Sequence, residues 1–211
     1  MRLLTNIVLI ALKLIAIWPR PLLQGLGKAF GWFKYVTNSH AARISRENIQ
    51  LCYPQLSKKE KTQLLRASLS HTAQTFFETP SVWLSRHSGT LPWIDELMNE
   101  TLLTTALDSS KGVIVVLPHF GNWELFNIYF SKYGPMTALY QPPRQQDLTG
   151  IMQYVRSGFG NEIVPTTKMG LLRLARCLDA GGVVTILPDQ VPRKGIFSDF
   201  FGNQALTDIL I

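Results

Sequence analysis

The stretch Gly112-Val-Ile-Val-Val-Leu-Pro-His-Phe-Gly-Asn-Trp-Glu-Leu-Phe-Asn127 limits the fold of this chain more than any other. It opens on an apolar, β-branched run, Val113 to Leu117, bounded by Gly112 and Pro118. Such a run reads as a buried strand of a parallel sheet. His119 follows at the strand's carboxyl end, then a turn with Gly121 and Asn122, then a mostly apolar helical run from Trp123 to Phe130. In open α/β sheets ligands bind at the carboxyl ends of strands. The expected fold class is therefore α/β, a mostly parallel sheet flanked by helices.

His119 and Glu124 are separated by four residues. On one continuous helix they would stand about 140° apart, off a common face. With a helix starting near Asn122, His119 precedes it and Glu124 lies in its first turn. A carboxylate there can accept the imidazole N–H, fix the tautomer and leave the other nitrogen as a general base. The helix N-terminus would also disfavour a charged imidazole. The alternative is a core His held by a backbone carbonyl.

The heptapeptide Pro118-His119-Phe120-Gly121-Asn122-Trp123-Glu124 resembles the His-x4-Asp/Glu signature of the lauroyl/myristoyl acyltransferases of lipid A biosynthesis, a branch of the glycerolipid acyltransferases. The resemblance implies acyl transfer from an acyl carrier protein thioester to a hydroxyl of a lipid A precursor. It makes His119 the base and Glu124 its partner, with direct attack, no acyl-enzyme and no cofactor. It also implies a bacterial inner-membrane location.

Lys and Arg number 21 against 14 Asp and Glu, a net charge of +7 in 211 residues, with 46% hydrophobic residues. The apolar content excludes a disordered basic tail. The positive excess suits an anionic membrane, an acidic carrier protein or a phosphorylated substrate; no nucleic-acid recognition signature accompanies it. Cys52 and Cys177 lack metal-site spacing and read as free thiols.

Leu3 to Trp18 is nearly all apolar but falls short of the ~20 residues that cross a bilayer comfortably. It reads as a short anchor, an interfacial helix or a buried helix, and membrane association is the expectation. Trp18 suits an interface and Lys13 can snorkel. Arg20, Lys28, Lys34, Arg43 and Arg46 follow, so the positive-inside rule puts the rest on the cytoplasmic side. The domain expectation is residues 1–20 as this anchor and 21–211 as the acyltransferase domain, helical to about 110 and α/β from 111. Gly25-x-Gly27 has no preceding strand and is not a dinucleotide fingerprint. Pro21 to Tyr35 reads as a second apolar helix on the membrane or on the core.

Ser57-Lys-Lys-Glu60 is a capping box opening a long helix with Leu64, Leu65 and Leu69 on one face. Arg46-x-Asn48, Tyr53-Pro54 and Leu56-Ser57 resemble the same family's N-terminal region, or form a plain helical scaffold. His71 and His87 read as surface or core residues. Gly89 to Ser110 reads as a loop and an amphipathic helix leading into the central strand.

Beyond the dyad, Thr137–Tyr140, Glu162–Val164 and Val183–Leu187 read as strands, and Gly170–Leu178 as a helix with Leu171, Leu174, Ala175 and Leu178 inward. Where the family usually carries Tyr-Arg-Pro, this chain has Tyr140-Gln141-Pro142. Arg144 is the candidate replacement, and Arg156 matches a basic family position. A guanidinium's planar fork suits phosphate; the alternative for each is a solvated surface charge. Leu187-Pro188-Asp189-Gln190 and Asp199-Phe-Phe-Gly202 with Ala205-x-Thr207 resemble further family blocks. A parallel sheet would bring Asp189 and His119 to the same edge. The resemblance makes Asn122, Arg144, Arg156, Asp189 and Gln190 the substrate-binding set; Asp189 could equally cap a turn.

Family members continue for several more strands and helices, so the resemblance reaches nearly all of this chain but not the family's C-terminal third. Two other classes compete with the enzyme: a non-catalytic lipid-binding protein of the same fold, and a metal-dependent hydrolase. The second lacks any His-x-x-x-His pair. Related branches acylate other glycolipids, and the dyad alone does not distinguish them.

Overall fold

The computed structural model describes residues 2–84, 90–140, 160–190, 192 and 195–207. These fall into two compact units. One contains the N-terminal helix and the segment from Ser81 to Pro188; the other contains Ile17–Pro80 and the segment beginning at Asp189.

The helical unit is built on α2 (Arg20–Val36), α3 (His40–Cys52) and α4 (Lys58–Leu84), the last crossing into the other unit after Pro80. Ala42, Ile49, Leu65 and Leu69 form its core, with Tyr35 packed against them. Leu64 of the expected inward face is exposed instead. The capping box forms as expected: the Glu60 N–H donates to Ser57 Oγ at 3.3 Å, and the Ser57 N–H to Glu60 Oε2 at 2.8 Å. Hydrogen bonding to Ser57 holds the Glu60 carboxyl below its ordinary range.

The glycines of α2 have a packing role rather than a phosphate-loop role. A Cβ on Gly27 would lie 2.5 Å from Gln74 Cα, and one on Gly31 would lie 2.6 Å from Ser70 Cα. Their absence lets α2 lie against the α4 backbone. Gly25, in the same helix, faces open space. A short hairpin of β5 (Ile196–Phe200) and β6 (Asn203–Thr207) completes this unit. Its two-residue turn, Phe201 and Gly202, has positive φ at both positions, 52° and 71°, as the twist of a tight hairpin requires. Asn203 Nδ2 donates to the Leu51 carbonyl at 3.2 Å, and Phe201 packs on Tyr53.

The other unit is a three-layer α/β sandwich, with α1 (Arg2–Ala16) attached. Four parallel strands, β1 (Val113–Val116), β2 (Thr137–Tyr140), β3 (Glu162–Pro165) and β4 (Val183–Ile186), lie in the order β1-β4-β2-β3. One face packs Val113, Val115 and Val183 against α5 (Glu100–Asp108) and α6 (Leu125–Phe130) through Leu103, Leu107, Phe126 and Phe130. The other packs Leu139, Val164, Val184 and Ile186 against α7 (Lys168–Asp179) through Leu171, Leu174 and Leu178. Ala175 of the expected inward set is exposed.

The expectation of a central strand buried on both faces is corrected for β1. Among the described residues it pairs only with β4, at the sheet's edge, and Ile114 and Val116 are 54% and 62% exposed. The reason is the reach of α7, which covers β2, β3 and β4 but not β1.

On the α5/α6 face, Glu100 accepts from Lys132 Nζ at 2.6 Å, from Tyr129 Oη at 2.8 Å and from Tyr133 Oη. These donors, Lys132 first, lower its carboxyl to about 2. Burial is the main cause that raises the Tyr129 phenol, and the Glu100 hydrogen bond that raises the Lys132 ammonium.

Among the described residues no single helix is long and apolar enough to cross a membrane; α1 and α2 reach that length and composition only together, across a break. The N-terminal segment is thus a pair of helices, α1 and α2, with a break between them.

Two predictions follow from this packing. Gly31→Ala should destabilise the protein by about 1–3 kcal/mol, because backbone stands in the way. Gly25→Ala should instead stabilise it by roughly 0.5–1 kcal/mol through helix propensity. Thermal melts of the two variants should move in opposite directions, and a shared direction would contradict the close approach. Glu100→Gln should remove stability that is present above the carboxyl's ordinary value near 4.5 and that fades as the pH falls toward about 2. Melting temperatures of wild type and variant should therefore differ at pH 7 and converge near pH 2.

Candidate functional site

Strand β1 runs one residue further in its hydrogen bonding: the Leu117 N–H donates to the Ile186 carbonyl at 2.9 Å. Pro118 then has no N–H to give, and the ladder ends. The chain leaves the sheet here, at the same edge where β4 ends. The next residues are His119, half-buried, and Phe120, which is 85% exposed. Gly121 has φ +58°, a conformation that suits glycine and allows the chain to double back.

The return is made by tight turns. The Leu125 N–H donates to the Asn122 carbonyl at 3.0 Å and the Phe126 N–H to the Trp123 carbonyl at 3.0 Å. Helix α6 begins at Leu125, two residues later than the apolar run predicts, so Glu124 is its N-cap rather than part of its first turn. With six residues its dipole is small.

Three features define the site chemically. The His119 ring meets the Trp123 ring edge-on, centroids 4.7 Å apart and planes at 68°, so the indole forms one wall for the imidazole. Glu124 is only 4% exposed and accepts from Asn127 Nδ2 at 3.1 Å. Both polar atoms of the Asn122 amide are buried without a protein hydrogen-bond partner. An amide left so costs about 1–3 kcal/mol, which a ligand's polar group can recover.

His119, Asn122 and Glu124 lie within six consecutive residues, on the loop after β1 and at the N-cap of α6. Asp189 and Gln190 are both exposed and belong to the other unit. Arg144 and Arg156 lie outside the described residues, as do Gln141, Pro142 and His87. Trp123 and Asn127 carry roles that the sequence reading did not assign. Asn127 was detectable, since a residue three beyond a helix-cap carboxylate stands on its side of the helix. Trp123 gave no such signal beyond its place in the motif. Among the described residues, no three His, Cys, Asp or Glu side chains gather to hold a metal ion. Cys52 and Cys177 are free thiols.

Known proteins with similar sequences agree with one another in kind. The chain is 28% identical over 196 residues to a lipid A biosynthesis palmitoleoyltransferase of Escherichia coli K12, a match covering 90% of this chain and 62% of that protein. It is 23% identical over 199 residues to the lauroyltransferase of lipid A biosynthesis of the same organism, covering 93% and 64%. It is 25% identical over 196 residues to a phosphatidylinositol mannoside acyltransferase of Mycolicibacterium smegmatis, covering 90% and 64%. The chain therefore spans a little under two thirds of the length of these curated relatives. The family model for bacterial lipid A biosynthesis acyltransferases matches residues 1–209, and the chain belongs to that family.

Proposed function

We propose that this chain carries the catalytic dyad of a membrane-associated O-acyltransferase, which moves a fatty acyl group from an acyl carrier protein thioester to a hydroxyl of a lipid A precursor. The observation that carries this reading is the loop at the carboxyl end of β1. It holds a half-buried His119 against Trp123 and, five residues on, a Glu124 that is 4% exposed.

In this reading an unprotonated His119 nitrogen takes the proton of the acceptor hydroxyl as that oxygen attacks the thioester carbonyl. The tetrahedral intermediate collapses, the C–S bond breaks, and the leaving thiolate recovers the proton from the imidazolium. Glu124 accepts the other imidazole N–H, and so fixes the tautomer and stabilises the cation. Asn127 orients Glu124 in turn. Backbone N–H groups near Phe120 and Gly121 are the candidate oxyanion donors, on a turn that positive φ at Gly121 makes possible. The unpartnered Asn122 amide is the candidate contact to a substrate polar group. Arg144, Arg156, Asp189 and Gln190 complete the proposed substrate set through the resemblance alone.

Membrane association is supported by exposed apolar residues on the N-terminal helices. Ile7, Ile10 and Leu14 form a stripe on α1, and Leu22, Trp32, Phe33 and Val36 lie exposed on α2. The cytoplasmic side is supported by the basic residues that follow α1. The phosphatidylinositol mannoside acyltransferase among the relatives keeps a second acceptor class open, a mannosylated phosphoinositide.

The test is transfer of labelled acyl chains from acyl carrier protein to each acceptor. Transfer to the lipid A precursor should exceed transfer to the mannolipid. His119→Ala should lower it by about 10²–10⁴-fold, the usual contribution of a general base, and Glu124→Gln should also impair it. Transfer that survives His119→Ala unchanged, or folded protein that serves neither acceptor, would overturn the proposal.

A further inference from the structure

The helical unit holds a cavity of about 400 Å³ between α3 and the start of α4. Ile49, Leu56 and Leu65 give it an apolar lining, and Ile49 and Leu65 are buried. Arg46, Lys58 and Lys61 also line it, and none of its described lining residues is a carboxylate. The size falls within the ordinary range for small-ligand sites.

Among the described residues, none of the three cations of this cavity forms an ion pair with a carboxylate. Arg46 Nη1 donates to the Asn38 side-chain oxygen at 2.8 Å, and Lys61 Nζ to the Pro54 carbonyl at 3.1 Å. Both acceptors are neutral, so they position the cations without cancelling them. Lys58 is the first residue of α4, whose N-terminus adds further positive potential. The nearest acids in sequence are Glu47 and Glu60. Glu47 is exposed, and both it and Glu60, which accepts the Ser57 N–H, lie outside the described lining.

Three like charges around one concavity repel each other, and a bound anion relieves that repulsion. A small hydrated anion would gain nothing from Ile49, Leu56 and Leu65. A purely apolar ligand would gain nothing from the three cations. The combination fits a ligand that is a phosphate ester at one end and hydrocarbon at the other. A concave site of this volume suits such a molecule better than the broad, flat contact that a protein partner makes.

We propose that the cavity between α3 and the head of α4 binds the phosphate headgroup of an anionic amphiphile, with Arg46, Lys58 and Lys61 on the phosphate and Ile49, Leu56 and Leu65 against its apolar part. Membrane phospholipids and phosphorylated glycolipids share this chemistry. The site does not depend on the acyl-transfer reading.

The experiment is calorimetric titration of the full chain with dihexanoyl phosphatidic acid, dihexanoyl phosphatidylcholine and inorganic phosphate. Phosphatidic acid should bind about tenfold or more tightly than either comparison ligand. The triple variant Arg46→Gln, Lys58→Gln, Lys61→Gln should weaken that binding about tenfold or more. A control with the same charge loss elsewhere, Lys111→Gln, Lys168→Gln, Arg176→Gln, should change it less than about twofold. Leu56→Asn should weaken phosphatidic acid and leave inorganic phosphate unchanged. Lys58 is exposed and its side chain makes no described hydrogen bond, so Lys58→Gln alone should fold normally and still weaken binding severalfold. Undiminished binding in the triple variant, or equal losses in the control, would overturn the site. Equal affinity for phosphatidic acid and inorganic phosphate would overturn its amphiphile character.

Discussion

The α/β unit depends on the parallel pairing of β1 with β4, in which Val113 to Val116 meet Val183 to Ile186 residue for residue. These strands are far apart in the chain, and β2, β3 and the helices lie between them in sequence. Their register decides two things at once. It turns Val113 and Val115 toward α5 and α6, and a slip by one residue would send Ile114 and Val116 into that core instead. It also ends both strands at one edge, where the Leu117 N–H finds the Ile186 carbonyl. The loop with His119, Asn122 and Glu124 hangs from that last bond.

Much of this was legible because parallel strands write themselves plainly. Short Val/Ile runs stopped by Gly or Pro located β1, β3 and β4 to within a residue or two, Thr137–Tyr140 was read as β2, and helical spacing of Leu171, Leu174 and Leu178 located α7. Part of the candidate site was proposed for a related reason: His119, Asn122 and Glu124 are nearly contiguous, so a local motif contained them. The edge position of β1 was not legible, because a run of four β-branched residues looks the same whether one or both faces are covered. Only the reach of α7 decides it. The start of α6 was missed by two residues, since tight turns at Asn122 and Trp123 satisfy the groups that a helix would otherwise use.

Gly27 and Gly31 show a different limit. Locally they suggest a glycine-rich loop, and the absence of a preceding strand rejects that. Nothing near them in sequence states their actual role, which needs the α4 backbone at Gln74 and Ser70 to be visible. A helix that spends its inner face on glycine must carry its large side chains elsewhere. Leu22, Phe30, Trp32, Phe33 and Val36 are accordingly exposed, while Leu23 is fully buried. The outer apolar surface of α2 is the geometric complement of its close inner packing.

That link bears on how the helical unit meets its surroundings. Each fully exposed large apolar side chain forgoes about 1.5–3 kcal/mol of burial. Several such residues on one helix make a surface that water alone favours poorly, and a lipid interface removes that cost. The same unit carries Arg46, Lys58 and Lys61 around an apolar cavity. In the proposed reading, apolar contact on α2 and phosphate contact at the cavity are two parts of one preference for an anionic lipid surface, carried by one three-helix scaffold.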